Sequence, residues 1–144
     1  MIDQHYPYYE VKDNTHYIFE SIGEKGSILK AVVFTISDEN IWNLGFGDLE
    51  NQLIDDSVIT NNHDAAKVIR TVAKIAIHFL VQNSESVVEI KPVDEKRKRL
   101  YNSVFQRFFK DIEPLFNVLG TFGGHEEIYS PSKAYDSFRI TFKF

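Results

Sequence analysis

Residues 65–81 read Ala65-Ala66-Lys67-Val68-Ile69-Arg70-Thr71-Val72-Ala73-Lys74-Ile75-Ala76-Ile77-His78-Phe79-Leu80-Val81, and this stretch decides the fold class. Ala65, Val68, Ile69, Val72, Ile75, Ala76, Phe79 and Leu80 recur at spacings of three and four, which gathers them on one face of an α-helix. Thr60, Asn61 and Asn62 are candidate N-caps, because their side-chain oxygens can accept the orphan amide donors of a first turn. Asp64 places a negative charge where the helix dipole favours one. Lys67, Arg70, Lys74 and His78 interrupt the apolar run, so it lacks the roughly 20 predominantly apolar residues of a membrane span. An amphipathic helix needs a surface to cover, and the flanking sequence supplies strands.

Downstream, Val87-Val88-Glu89-Ile90 reads as a strand. Pro92-Val93-Asp94 leads into a second helix, with Leu100, Val104, Phe108 and Ile112 in one row and Tyr101, Phe105 and Phe109 beside it. Pro114 stops it, since proline lacks the amide and clashes with the preceding turn. Phe138, Ile140, Phe142 and Phe144 alternate with Arg139, Thr141 and Lys143, the pattern of a strand with one buried and one wet face. A weaker strand is expected near Phe116–Phe122 or Glu126–Tyr129. Upstream, Tyr17–Glu20, Ile28–Ile36 and Ile41–Leu44 form a β-meander, with turns at Gly23–Gly26 and Ser37–Asn40. Gly45 to Asn62 reads as an acidic loop, carrying Asp48, Glu50, Asp55 and Asp56 with no Lys or Arg. The order β-β-β-α-β-α-β-β predicts an α+β fold: a mixed, largely antiparallel sheet with two main helices, in one domain over residues 1–144.

Composition narrows the functional classes. The 144 residues include twelve Phe, seven Tyr and one Trp, an aromatic content that intrinsically disordered chains lack. A formal charge of −5 and a pI near 5.5 argue against the broad basic field of a nucleic-acid binder. With no cysteine there is no disulfide framework, thiolate nucleophile or Cys-ligated metal centre. The start, Met1 to Pro7, has neither a basic n-region nor an apolar h-region, so the expected compartment is the cytoplasm and no membrane is expected as a partner. Gly45-Phe46-Gly47-Asp48-Leu49-Glu50 begins like a dinucleotide fingerprint, but Glu50 takes the third glycine slot and no helix follows directly, so it reads as a bulge or turn. His5, His16, His63, His78 and His125 show no metal-ligand spacing, and His125-Glu126-Glu127 reads as an exposed turn after Gly123-Gly124, so no metal is expected.

Two basic features stand against the acidic total. On the first helix, His63, Lys67, Arg70 or Thr71, Lys74 and His78 line the polar face, with no acid between Asp64 and Gln82. This is either an anion-binding stripe or a solvated face with the acidic loop Asp48–Asp56 folded across it. Lys96-Arg97-Lys98-Arg99 opens the second helix, where cations oppose the macrodipole at a cost of about 0.3–1 kcal/mol each at low salt. Asp94 and Glu95 partly offset them, and the four side chains fan around the helix. The aromatic run His5-Tyr6-Pro7-Tyr8-Tyr9 is expected to cap the core or to pack on a second copy in a homodimer.

The element order is similar to the core of the GCN5-related N-acetyltransferase fold without its two N-terminal helices. Val68 to Phe79 resembles the central helix of acetyltransferase-like proteins of bacteria and phages. Arg97-Lys98-Arg99-Leu100-Tyr101-Asn102 resembles the helix that carries that superfamily's Leu-Tyr. The chain also resembles an uncharacterised bacterial family with no assigned function. The resemblance implies an acetyl-coenzyme A groove, yet the pyrophosphate turn, Gln/Arg-x-x-Gly-x-Gly/Ala, is replaced by Asn61-Asn62-His63-Asp64-Ala65-Ala66. Asp64 puts a negative charge where the pyrophosphate would lie. The expectation is therefore a non-catalytic or degenerate binding module, with an unidentified protein partner and no cofactor. The enzyme alternative, an acyl-coenzyme A-dependent N-acyltransferase, makes Tyr101 the general acid and gives the coenzyme phosphates to Lys67, Arg70 and Lys74. A second alternative binds an acidic partner or nucleic acid through those three residues and the run containing Arg97.

Overall fold

The computed structural model describes residues 4–50, 53–55, 64–114 and 116–143. The elements are β1 (Tyr8–Lys12), β2 (His16–Gly23), β3 (Gly26–Asp38), β4 (Ile41–Glu50), β5 (Leu53–Asp55), α1 (Ala65–Gln82), β6 (Val87–Ile90), α2 (Glu95–Ile112), β7 (Phe116–Phe122), β8 (His125–Ile128) and β9 (Ser137–Phe142). Among the described residues the strands hydrogen-bond in the order β1-β2-β3-β4-β6-β9-β7-β8, with β5 on β4. β4 and β6 run parallel at Ile41–Asn43 against Val87–Glu89. The pairs β1–β2, β2–β3, β4–β5, β6–β9, β7–β9 and β7–β8 are antiparallel. The fold is thus the mixed α+β arrangement, a large and mostly antiparallel sheet with two helices, that the element order predicts.

Several segments depart from the sequence reading. Gly45–Glu50 is neither turn nor loop but the second half of β4. The alternation of Leu44, Phe46 and Asp48 carries on through the glycines, because Phe46 stacks on Phe19 and Asp48 pairs with the buried Lys30. Residues 8–12 add an edge strand, with Tyr8 opposite Phe19. At the C-terminal end both alternative strands form, as a hairpin turning at Gly123 and Gly124. Those two glycines have φ of 57° and 81°, the left-handed region that glycine enters without a Cβ penalty. The N-cap candidates Thr60, Asn61 and Asn62, and His63, lie outside the described residues.

The chain forms two compact units, residues 1–35 with 44–79 and residues 36–43 with 80–144. In the first, Tyr17, Phe19 and Ser21 of β2 and Lys30, Val32 and Phe34 of β3 all point inward and are at most 2% exposed. α1 packs there through Val68, Ile69, Ile75, Ala76 and Phe79, with Phe79 stacked on Phe34 at 4.0 Å between centroids. The buried Lys30 ammonium is neutralised by Asp48 at 2.5 Å, as a charge removed from water must be.

In the second unit, Phe105 of α2 stacks on Phe138 of β9 at 4.1 Å. Phe108, Ile112, Phe116, Val118 and Ile140 complete that core. Asn102 clamps the segment before β9: its amide donates to Tyr135 O at 2.9 Å, and its carbonyl oxygen accepts from Tyr135 N at 2.8 Å. This holds the Tyr135 ring flat over Gly120, where a Cβ would lie 2.3 Å from a ring carbon, so only glycine fits. On the opposite face, Arg139 donates to Glu89 at 2.8 Å.

Candidate functional site

The start of α1 is the place where the resemblance puts a coenzyme's phosphates. Asp64 precedes the helix, and its carbonyl accepts the first helical bond from Val68 N–H at 3.0 Å. Its carboxylate Oδ2 accepts from the Tyr6 hydroxyl and from the Ser21 hydroxyl, each at 2.5 Å. Tyr6 is 5% exposed and anchored at both ends. Its backbone N–H donates to Thr71 Oγ1 at 2.9 Å, and its phenolic oxygen accepts from Ile22 N–H at 3.1 Å. Ile22 belongs to the part of β2 beyond its pairing with β1, so the phenol satisfies an otherwise open strand edge. Burial, and then the adjacent Asp64 carboxylate, push the Tyr6 phenol above its ordinary pKa.

Around this cluster the N-terminal segment runs along the polar side of α1. Lys67 Nζ sits 4.3 Å from the centre of the Tyr6 ring, a cation–π contact. Arg70 Nη1 reaches Gln4 O at 3.5 Å, and His78 packs edge-on against Tyr8 and Tyr17. Thr71, grouped with the polar stripe from the sequence, is completely buried and also donates to Lys67 O. Lys74 is half-buried. Gln4, Tyr6 and Tyr8 of the N-terminal segment lie on this face. Of the acidic loop, Asp48 is committed to Lys30, and residues 51–52 and 56–62 lie outside the described residues.

The aromatic N-terminus was legible as a feature, but its partners were not. β2 parity does place Ser21 on the same buried face as Tyr17 and Phe19, and a buried hydroxyl calls for an acceptor. That signal was available in the sequence. The pairing of Tyr6 with Asp64, 58 positions apart, was not.

The second unit carries the other candidates. Tyr101 is half-buried on α2. The run Lys96–Arg99 fans around the helix as its spacing requires: Lys96 and Arg99 are exposed, Lys98 is half-buried and donates to Asp136 at 2.6 Å, and Arg97 is 3% exposed. Asp94 is the N-cap, accepting from Arg97 N–H at 2.8 Å. His125, Glu126 and Glu127 lie in β8 rather than in a turn, and Glu127 accepts from Tyr135 and Lys133. Among the described residues no three His, Asp or Glu side chains converge as a metal-binding set. No helix of the described residues is long and apolar enough to cross a membrane.

At this level the chain is a mixed α+β protein whose first helix opens on an internally bonded carboxylate. Residues 3–143 match the model of a family of unknown function, DUF6934, and the chain belongs to that family. No curated protein and no solved structure matches it.

Proposed function

We propose that this chain is a non-catalytic, acetyltransferase-like binding module. The observation that carries the reading is Asp64, whose carboxylate sits at the start of α1 and is bonded by Tyr6 and Ser21. A helix N-terminus attracts one anion through its amides and dipole. Here an internal carboxylate already lies in that field, and a pyrophosphate placed beside it would meet charge of its own sign. Two of the three basic residues that an acyltransferase would assign to the coenzyme are engaged by the chain itself, Lys67 on the Tyr6 ring and Arg70 at Gln4.

Calorimetry with acetyl-coenzyme A at low and moderate salt tests the proposal. No binding at millimolar ligand is the expected result. Saturable micromolar binding to the wild type overturns it and revives the acyltransferase reading with Tyr101 as general acid. Tyr101→Phe would then lower turnover while leaving coenzyme affinity unchanged.

A further inference from the structure

We propose that the start of α2 is a receptor for a small oxyanion, a phosphate or carboxylate group, with Arg97 as its buried cation. The inference does not depend on the α1 reading, because a different helix and a different unit carry it.

Arg97 is 3% exposed, and its guanidinium is a forked cation with five N–H donors and no acceptor. Its Nε and Nη1 atoms are sealed from solvent and, among the described residues, have no hydrogen-bond acceptor. The nearest anion, Asp94 Oδ2, is 3.8 Å from Nη1, which is an ion-pair separation but too long for a hydrogen bond. The other oxygen of Asp94 is occupied with the backbone N–H of Arg97. A buried charge in this state is costly unless an acceptor completes it.

The guanidinium also points to where that acceptor belongs. Helix side chains lean toward the N-terminus, and the Asp94 contact shows Arg97 folded back over the first turn. That turn is the positive end of the dipole, yet the sequence adds Lys96, Arg97, Lys98 and Arg99 to it. Among the described residues, Lys98 is the one of the four whose charge is answered from beyond the helix and its cap, by Asp136. Local helix physics disfavours such an accumulation, and an oxyanion resolves it, since a helix start and a forked cation both bind one. Entry is from the Asp94 side, where that side chain is 50% exposed. A swing of its carboxylate uncovers the unpaired guanidinium N–H groups, with the exposed Lys96 alongside.

The test is a calorimetric titration with inorganic phosphate, and separately with acetate, chloride keeping ionic strength constant. Wild type, Arg97→Met and Asp94→Asn are compared. Saturable binding of either ion to the wild type is expected, and the preferred ion tells a phosphate-bearing ligand from a carboxylate-bearing one. Arg97→Met should weaken it by about tenfold or more, as loss of a charge-assisted fork implies. Asp94→Asn keeps the cap and removes a like charge, so binding should tighten by about threefold or more. Absence of saturable binding by both ions, or equal binding by Arg97→Met, overturns the proposal. Should Arg97→Met fail to fold, the Nε–H resonance of Arg97 in the wild-type protein decides the matter. A saturable shift with the ion supports the site, and an unmoved resonance overturns it.

Discussion

α1 and α2 are both 18 residues long and each follows an aspartate, yet the two starts are completed in opposite ways. Asp64 is served by side chains 58 and 43 positions away, Tyr6 and Ser21. Asp94 serves its own helix, accepting from a backbone amide three residues on. At α1 the Asp64 carboxylate and the Tyr6, Ser21 and Thr71 hydroxyls find partners within the chain. At α2 the local cap is complete while the neighbouring guanidinium is left without an acceptor. A helix start closed by long-range contacts is structural, and one closed only locally, beside a buried guanidinium short of acceptors, is where the proposed anion would complete the bonding.

The largest effect should come from removing the α1 closure. Tyr6→Ala deletes a nearly buried aromatic ring together with its hydrogen bonds, and about 3–5 kcal/mol of stability should be lost in urea unfolding. A loss below about 1 kcal/mol would mean the N-terminal segment is only resting on α1. Tyr6→Phe isolates the hydroxyl. It leaves the Ile22 amide without its acceptor and Asp64 with one donor fewer, for an expected cost of about 1–3 kcal/mol.

At α2 the directions differ. Arg97→Met replaces a buried charge, paired only at 3.8 Å with Asp94 and short of hydrogen bonds, by an apolar chain, so in buffer free of phosphate and carboxylate the melting temperature should hold or rise. A large fall would show that Arg97 is satisfied in solution by a group of this chain, Asp94 first among them. Asp94→Ala should cost about 1 kcal/mol through the lost cap, and Asp94→Asn only a few tenths, since both Asp and Asn cap well.

The smallest expected effect is in the alkaline limb. The Tyr6 phenol has a folded pKa above its unfolded value, so its contribution is complete below the unfolded pKa. That contribution is lost as pH rises through the folded pKa. Burial also pushes Tyr17 and Tyr129 up to about 12, so wild-type stability should fall above roughly pH 10. Tyr6→Phe should shallow that fall without abolishing it. Identical alkaline slopes for the two proteins would remove Tyr6 from the titration.

Legibility followed the range of the interactions. The apolar faces of both helices, the Pro114 stop and the alternation of β9 depend on neighbours a few residues apart, and all were readable. β4 was cut short at Gly45 because two glycines resemble a turn when Phe19 and Lys30 are not in view. Their contacts with Phe46 and Asp48 override the local signal. Arg97 was readable as one of four cations. Spacing alone could not show that it is the buried one without a hydrogen-bond acceptor.

By itself the sequence determined the class of fold, the two helices, most strands and the absence of thiol chemistry, because periodicity, turn residues and composition act locally. Only the tertiary structure decided that Tyr6 and Ser21 bond to Asp64, and that Arg97 is enclosed without an acceptor. Both follow from which faces meet when strands and helices pack, and a buried polar group's cost depends on whoever is across from it.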